Sequence, residues 1–288
     1  TQKNYDTYRK LVNKYKNWRN KEKMRIGVTG AKGLIGKELV EQLEIKYPQA
    51  EIVIADLKNK VPVDLKHYNN CLLFCEGLDE VYHLAGIKGS PKMTQERPAD
   101  FMQMLQFDAN MIYAAQKQGV KKFLYTSSIT VNYPEIDKYP AWVKSTAEKL
   151  IEAIRIQYPD CLTKYCIVRP GSVYGRYDDF SRANPMVIPS LINKALHHNL
   201  ELWGDGLQER DFINSKDAAR GMIEVMQEMP DFPINLCSGK AITIKYAIEL
   251  ISQYTGVPIK YVPVEGKIMG AQNRVMELNW KFKPEISI

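Results

Sequence analysis

No run of about 18 apolar residues occurs in the sequence, so nothing in it reads as a membrane span. The start is polar and basic, with no apolar stretch resembling a signal peptide. Five cysteines, Cys71, Cys75, Cys161, Cys166 and Cys237, are odd in number, scattered, and form no CxxC pair. That excludes a disulfide framework and gives no metal-ligand spacing, so they read as reduced thiols, mostly filling the core, of a cytoplasmic protein. Internal repeats and low-complexity segments are absent. Surplus charge is absent too, once the first residues are set aside. The net charge is +7, but residues 1–23 hold eight Lys and Arg against Asp6 and Glu22, which leaves +1 for the remaining 265 residues. A basic tail of this kind could touch nucleic acid or an acidic surface. Tyr8, Leu11, Val12, Tyr15 and Trp18 also recur at helical spacing, which favours a helix packed on the body and makes nucleic acid the less expected partner.

The chain has 288 residues, 45% hydrophobic and 25% charged, which suits one large domain or a domain with a smaller lobe. From Met24 onward, strand and helix alternate. Short apolar runs at 25–28, 51–54, 80–84, 122–126 and 164–169 predict strands. Helical stretches are predicted at 34–47, 99–118 and 141–158. This rhythm predicts an α/β fold with a parallel sheet covered on both faces. After Pro170 the rhythm breaks and Gly, Pro and Asn become frequent, marking the start of a smaller C-terminal lobe.

The strongest local signal is Val28-Thr29-Gly30-Ala31-Lys32-Gly33-Leu34-Ile35-Gly36. It follows the first predicted strand and opens the first predicted helix. One glycine permits the tight turn, one lets the backbone approach a pyrophosphate, and one lets the helix sit close to the sheet. The helix N-terminus then offers N–H groups and a positive dipole end to phosphates. Asp56 closes the second strand 20 residues after Gly36. There it would accept hydrogen bonds from the adenosine ribose and repel a 2′-phosphate, which predicts NAD in preference to NADP.

With spacing GxxGxxG, the turn resembles that of the extended short-chain dehydrogenase/reductase family, and the resemblance runs across residues 24–284. Asp64 in Val-Asp-Leu looks like the residue that contacts adenine. His83-Leu84-Ala85-Gly86 resembles the HLAA strand end bordering the cofactor. Thr126-Ser127-Ser128 resembles the strand end that carries the catalytic serine or threonine, and Lys144 and Glu148 match the Lys-x-x-x-Glu of the catalytic helix. The segment from Arg169 to Gly175 is similar to R-x-x-N-V-Y-G, and that from Gly204 to Phe212 to the GDGxQxRDF of nucleotide-sugar enzymes. Asn279-Trp280 with Pro284 resembles their C-terminal GWxP. Residues 98–101, 110–115, 177–180 and 187–191 lean towards the GDP-fucose synthase (GDP-4-keto-6-deoxymannose reductase) branch of the nucleotide-sugar epimerase/dehydratases.

The resemblance implies a doubly wound Rossmann domain at 24–172 with a return segment near 211–237. It implies a substrate lobe at 173–210 and 238–288, behind a basic extension at 1–23. Cofactor contacts are implied at Gly30, Lys32, Gly33, Leu34, Ile35, Gly36, Asp56, Asp64, Leu84, Ala85, Gly86 and Lys144. Substrate contacts are implied at Lys88, Thr130, Ser172, Asn184, Val187, Trp203 and Arg210. The implied partners are a nucleotide-diphosphate sugar and, as a homodimer, a second copy of the chain.

The implied chemistry needs a tyrosine four residues before the lysine, because a phenol with its ordinary pKa near 10 acts as a base only beside an ammonium. Pro140 stands there instead. Tyr139, one residue earlier, can serve if Pro140 starts the helix late and leaves Tyr139 extended. Tyr133 is a second candidate. Tyr113 and Lys117 also form Tyr-x-x-x-Lys, but on the helix before the serine strand, which reads as a surface coincidence. Dehydratases of the family carry Asp-Glu where this chain has Ile129-Thr130, and isoleucine cannot transfer a proton. GDP-fucose synthase places a cysteine near Thr130 and a histidine near Met186 for its 3,5-epimerisation. Ser128-Ile129-Thr130 resembles the Ser-x-Thr of 4-epimerases. The expected activity is therefore C4 epimerisation of a nucleotide sugar with Ser128, Tyr139 and Lys144 as catalytic residues. The alternatives are a 4-keto-6-deoxyhexose reductase and a catalytically idle NAD-binding scaffold.

Overall fold

The computed structural model describes residues 23–89, 91–135, 138–181, 185–197, 200–257, 261–264 and 272–288. The helix expected within residues 1–23 lies almost wholly outside them.

Six strands form the main sheet: β1 (Arg25–Thr29), β2 (Glu51–Ala55), β3 (Glu80–His83), β4 (Lys122–Thr126), β5 (Lys164–Pro170) and β9 (Ile234–Leu236). Their order is β2-β1-β3-β4-β5-β9, and every neighbouring pair is parallel. The fold is therefore a Rossmann-type α/β sheet. Successive strand residues point to opposite faces, so Val81 and Tyr82, or Phe123 and Leu124, feed two different cores. One face is covered by α2 (Tyr68–Cys75), α5 (Met104–Gln118) and α6 (Lys138–Gln157). The other is covered by α1 (Leu34–Lys46) and α8 (Ser215–Glu228). Both faces being covered explains why the strands read as near-continuous apolar runs.

α1 starts on Gly33 and stops at Tyr47, which precedes Pro48 and is held out of helical geometry by it. α5 ends on Gly119 in the left-handed conformation, with φ of 71°. The stretch expected as one helix at 99–118 is instead broken. The short α4 (Pro98–Met102) follows α3 (Pro91–Glu96), and α5 starts afresh at Met104. At Gln103 the amide turns to Asp100 O three residues back, a tighter turn than the α-helix. The helix expected from residue 141 begins earlier, at Lys138, so Pro140 lies inside its first turn, where a missing N–H costs nothing.

A second, smaller sheet has the order β10-β8-β12, formed by Ala241–Thr243, Glu209–Asn214 and Asn273–Arg274, with β6 (Ser172–Tyr174) also pairing with β8. β7 (Leu200–Trp203) pairs with β11 (Tyr261–Val264). Against these pack α7 (Val187–Leu196) and α9 (Ile244–Thr255), around Leu191, Leu202, Phe212 and Ile248. Among the described residues, no helix is long and apolar enough to cross a membrane.

Candidate active site

After β1 the chain moves out to β2 and then returns across β1 to β3. In sheets of this kind ligands bind outside the carboxyl ends of the strands where the order reverses. A cleft of about 700 Å³ lies there. Of the cofactor residues named from sequence, Gly30, Lys32, Gly33, Leu34, Asp56, Asp64, Leu84, Ala85 and Gly86 line it together, as does Lys88. Gly36 sits behind the turn, and Ile35 packs on the apolar core beneath it. Gly30 has φ of +66°, in the left-handed region, and a Cβ there would lie 2.8 Å from Ala85 N. Only glycine lets the turn pass this close to the end of β3. The first turn of α1 carries no acidic residue of its own to oppose an anion at its N-terminus.

Asp56 is already engaged. Its Oδ2 accepts Lys32 N–H at 2.9 Å and its Oδ1 accepts Lys58 N–H at 2.8 Å. A carboxylate has about four lone-pair sites, so acceptor capacity for ribose hydroxyls remains. The Lys32 ammonium reaches Lys58 O at 2.7 Å. Asp64 Oδ1 likewise accepts Lys66 N–H at 3.0 Å.

The next two strand ends meet α6. Ser128 Oγ accepts Thr130 N–H at 3.2 Å and so caps a 3₁₀ turn at Ile129–Asn132. Lys144, 9% exposed, points its ammonium at Asp108 Oδ2, 3.4 Å away, and lies 4.8 Å from the centroid of the Tyr125 ring. The Tyr125 hydroxyl donates to the same Asp108 oxygen at 2.6 Å, and His83 Nε2 lies 3.0 Å from Asp108 Oδ1. His83 Nδ1 faces Thr29 Oγ1 at 2.7 Å, and that oxygen also accepts Ala85 N–H. His83 thus bridges Thr29 and Asp108 through its two ring nitrogens. Burial works against the Asp108 charge, but Lys144, His83 and Tyr125 outweigh it and hold the carboxyl below its usual range. Burial, reinforced by Asp108, pushes the Tyr125 phenol well above its ordinary value and excludes it as a base. Glu148 holds architecture: Ser127 Oγ donates to it at 2.5 Å, and Arg169 grips it through Nε at 2.9 Å and Nη2 at 2.5 Å.

Tyr139 does not precede the helix as expected but lies within its first turn. Its ring meets Trp142 edge-on, centroids 6.0 Å apart, and among the described residues no hydrogen bond joins its hydroxyl to Ser128. The Tyr133 hydroxyl is committed elsewhere, donating to Val275 O at 3.0 Å and accepting Val275 N–H at 3.1 Å. Tyr113 is 45% exposed on α5. Ile129 is buried with Cys237 and Met276, with Tyr133 packed against them.

Of the substrate residues named from sequence, Thr130 is in the 3₁₀ turn, Ser172 pairs with Phe212 in β6, Val187 opens α7, and Arg210 is on β8. Trp203 closes β7 by its backbone, and Asn184 lies outside the described residues. Arg274, which sequence reasoning passed over, is the register partner of Arg210 on the adjacent parallel strand, so the two guanidinium groups leave the same face of the small sheet. Asp108 and the His83 contacts were equally unseen. His83 sits in a recognisable strand end, but no local pattern flagged Asp108.

Residues 26–237 match the family described as the NAD dependent epimerase/dehydratase family, well over half of the chain. The chain belongs to this family. It is thus an extended short-chain dehydrogenase/reductase of the kind that includes nucleotide-sugar epimerases and reductases. It is 28% identical over 277 residues to GDP-mannose 3,5-epimerase 1 of Oryza sativa subsp. japonica, covering 84% of this chain and 72% of that protein. It is 26% identical over 291 residues to GDP-L-fucose synthase of Escherichia coli (strain K12), covering 89% of each. Among solved structures, UDP-glucose 4-epimerase of Thermotoga maritima superposes with a TM-score of 0.77 over 92% of this chain and 94% of that one, at 20% identity, a likeness of fold.

Proposed function

We propose that this protein is an NAD-dependent nucleotide-sugar 4-epimerase, acting in the cytoplasm as a homodimer. Residues 24–172 and 211–237 bind the cofactor; 173–210 and 238–288 bind the sugar. The observation that carries the reading is at the end of β4. There α6, which carries Lys144, packs against the 3₁₀ turn that Ser128 caps. In the same stretch the Thr126 and Thr130 hydroxyls are buried without a hydrogen-bond partner among the described residues. A buried hydroxyl left unpaired is costly. A polyhydroxylated substrate supplies the missing partners.

In this reading Ser128 hydrogen-bonds the C4 oxygen, and Tyr139, the phenol nearest Lys144 in sequence, exchanges the C4 proton. Lys144 would orient the nicotinamide ribose, and a nicotinamide held by the turn from Gly30 to Gly36 would supply an acceptor and donor for the C4 hydride. The relatives' names also include a 3,5-epimerase. Neither Thr130 nor Met186 offers the cysteine and histidine side chains that GDP-fucose synthase uses for its 3,5-epimerisation, and buried Ile129 removes the dehydratase acid. The test is incubation with nucleotide hexoses and no added cofactor. A C4 epimer as product, with NAD released on denaturation, is the expected result. Turnover only of a 4-keto sugar, and only with added NADPH, would overturn it.

A second reading, a 4-keto-6-deoxyhexose reductase using NADPH, is favoured by one observation. Both Asp56 oxygens already hold backbone amides, and Lys32 and Lys58 beside them line the cleft, where they could pair with a 2′-phosphate. Titration separates the two. NAD is expected to bind about tenfold more tightly than NADP, the roughly 1.4 kcal/mol that one adverse charge contact supplies, and Asp56→Ala to narrow the gap. A clear preference of the intact protein for NADP moves the assignment to the reductase.

Arg210 and Arg274 would grip the substrate diphosphate from adjacent strands. A charge-assisted contact contributes roughly 1.5–3 kcal/mol, so Arg210→Ala is expected to weaken nucleotide-sugar binding about tenfold or more in calorimetry while NAD affinity holds. Equal loss of both ligands would reassign Arg210 to the fold.

A further inference from the structure

The segment that follows β6 is fastened to both rims of the cofactor cleft. On one rim, Arg176 forms a forked pair with Glu38 of α1, Nε to Oε1 at 2.8 Å and Nη2 to Oε2 at 3.0 Å. The Glu38 side chain is only 4% exposed. Arg176 also bonds Glu41, as does the Tyr177 hydroxyl. Arg176 stacks on the Tyr177 ring, and Lys37 approaches the same ring. On the other rim, Lys88, just beyond β3, meets Asp178 Oδ1 at 2.5 Å. Between these anchors, Tyr177, Asp178 and Asp179 form part of the wall of the cleft that Gly30, Gly33 and Asp56 also line. Asp178 is 1% exposed at its side chain, and its second oxygen is buried with no partner among the described residues. A buried carboxylate oxygen requires a donor. A ribose hydroxyl supplies one and a phosphate does not.

We propose that Arg176–Asp179 is a strap across the mouth of the dinucleotide cleft, which gives Asp178 to a hydroxyl of the bound cofactor and sets how fast that cofactor exchanges. The inference rests on the reading that the cleft holds a nicotinamide dinucleotide, and it deepens that reading. An enzyme that regenerates its cofactor in each cycle gains by keeping it. With the strap closed, release must wait for the Glu38 and Lys88 pairs to part. The forked Arg176–Glu38 pair couples the substrate side of the chain directly to the helix whose N-terminus faces the pyrophosphate.

The experiment is the dissociation rate of the fluorescent etheno analogue of NAD, chased with excess NAD, in the full chain. Arg176→Ala alone strands the buried Glu38 carboxylate, so the double variant Arg176→Ala with Glu38→Gln is measured beside it and its fold checked by melting temperature. Both variants, and Asp178→Asn, are expected to release the cofactor about tenfold faster, the size of one partly exposed charge-assisted contact, with association unchanged or faster. Raising ionic strength is expected to speed release from the wild type and to change the double variant less. Release from the double variant at the wild-type rate would overturn the strap, as would a loss of affinity arising only from slower association. The same chase with NADP keeps the two readings apart. A preference for NADP alters the assigned cofactor, whereas the ratio of variant to wild-type rates still judges the strap.

Discussion

Gly36→Ala is expected to abolish cofactor binding and to lower the melting temperature, whereas Gly33→Ala is expected to abolish binding alone. A Cβ on Gly36 would lie 2.2 Å from Gly30 O, 2.8 Å from Ala31 Cα and 2.9 Å from Ala31 C. All three neighbours are backbone, so no side chain can swing aside. The turn must open or α1 must move off the sheet, and either change scatters the N–H groups that face the pyrophosphate. At Gly33 the case differs. Its φ of −77° suits any residue, and an added Cβ meets only Gly30 O, at 3.2 Å. The fold tolerates that methyl, but it lies where the phosphate approaches. Losing several phosphate contacts at about 1.5–3 kcal/mol each predicts more than a hundredfold weaker NAD binding in either variant. Thermal melts with and without NAD check both halves. Retained NAD binding in Gly36→Ala would mean that the cofactor is not held at this turn.

The same two glycines show why some of the molecule was legible in its sequence. A turn is local: the spacing from Gly30 to Gly36, the preceding apolar strand and Asp56 after the second strand are read from neighbours in the chain. The five strands expected before residue 170 are also set by local apolar runs, and each is present, with ends shifted by one residue at most. What was not legible depends on partners far apart. Asp108 meets Lys144, His83 and Tyr125, 17 to 36 residues away. Arg274 meets Arg210 across a strand pair, and Arg176 meets Glu38 from 138 residues away. Single residues of this kind carry no periodic signal. The start of α6 was misjudged for a related reason. Proline bars the helix interior but fits its first turn, so Pro140 allows a start at Lys138 as readily as one at its own position.

Lys144→Met is expected to remove both turnover and stability, and a second substitution separates the two losses. The Lys144 ammonium lies 3.4 Å from Asp108, a carboxylate 1% exposed at its side chain. Removing the lysine takes its ammonium from that buried carboxylate and leaves it to Tyr125 and His83. Breaking a buried pair from one side costs about 3–5 kcal/mol, which a denaturant melt reads as a lower midpoint. Adding Asp108→Asn removes the stranded charge, so the double variant Lys144→Met with Asp108→Asn is expected to recover most of the stability. It is not expected to recover turnover, because the proposed reaction needs the Lys144 ammonium for the ribose and the phenol. Losing general acid/base catalysis costs about a hundredfold to ten-thousandfold. Tyr139→Phe is expected to match that loss if the phenol swings in when substrate binds. Normal turnover in that variant would remove Tyr139 from the reaction, and a gain of turnover in Pro140→Tyr would show where the family places the group. The pair also gives a sign for acid unfolding. Asp108 is held below its usual range in the folded protein. Its contribution is therefore complete above the unfolded carboxylate value of about 3.9 and is lost as pH falls through the lower folded value. Asp108→Asn should lack that portion of the acid transition and Lys144→Met should shift it to higher pH. An acid transition identical in all three proteins would mean that the Asp108–Lys144 pair does not form in solution.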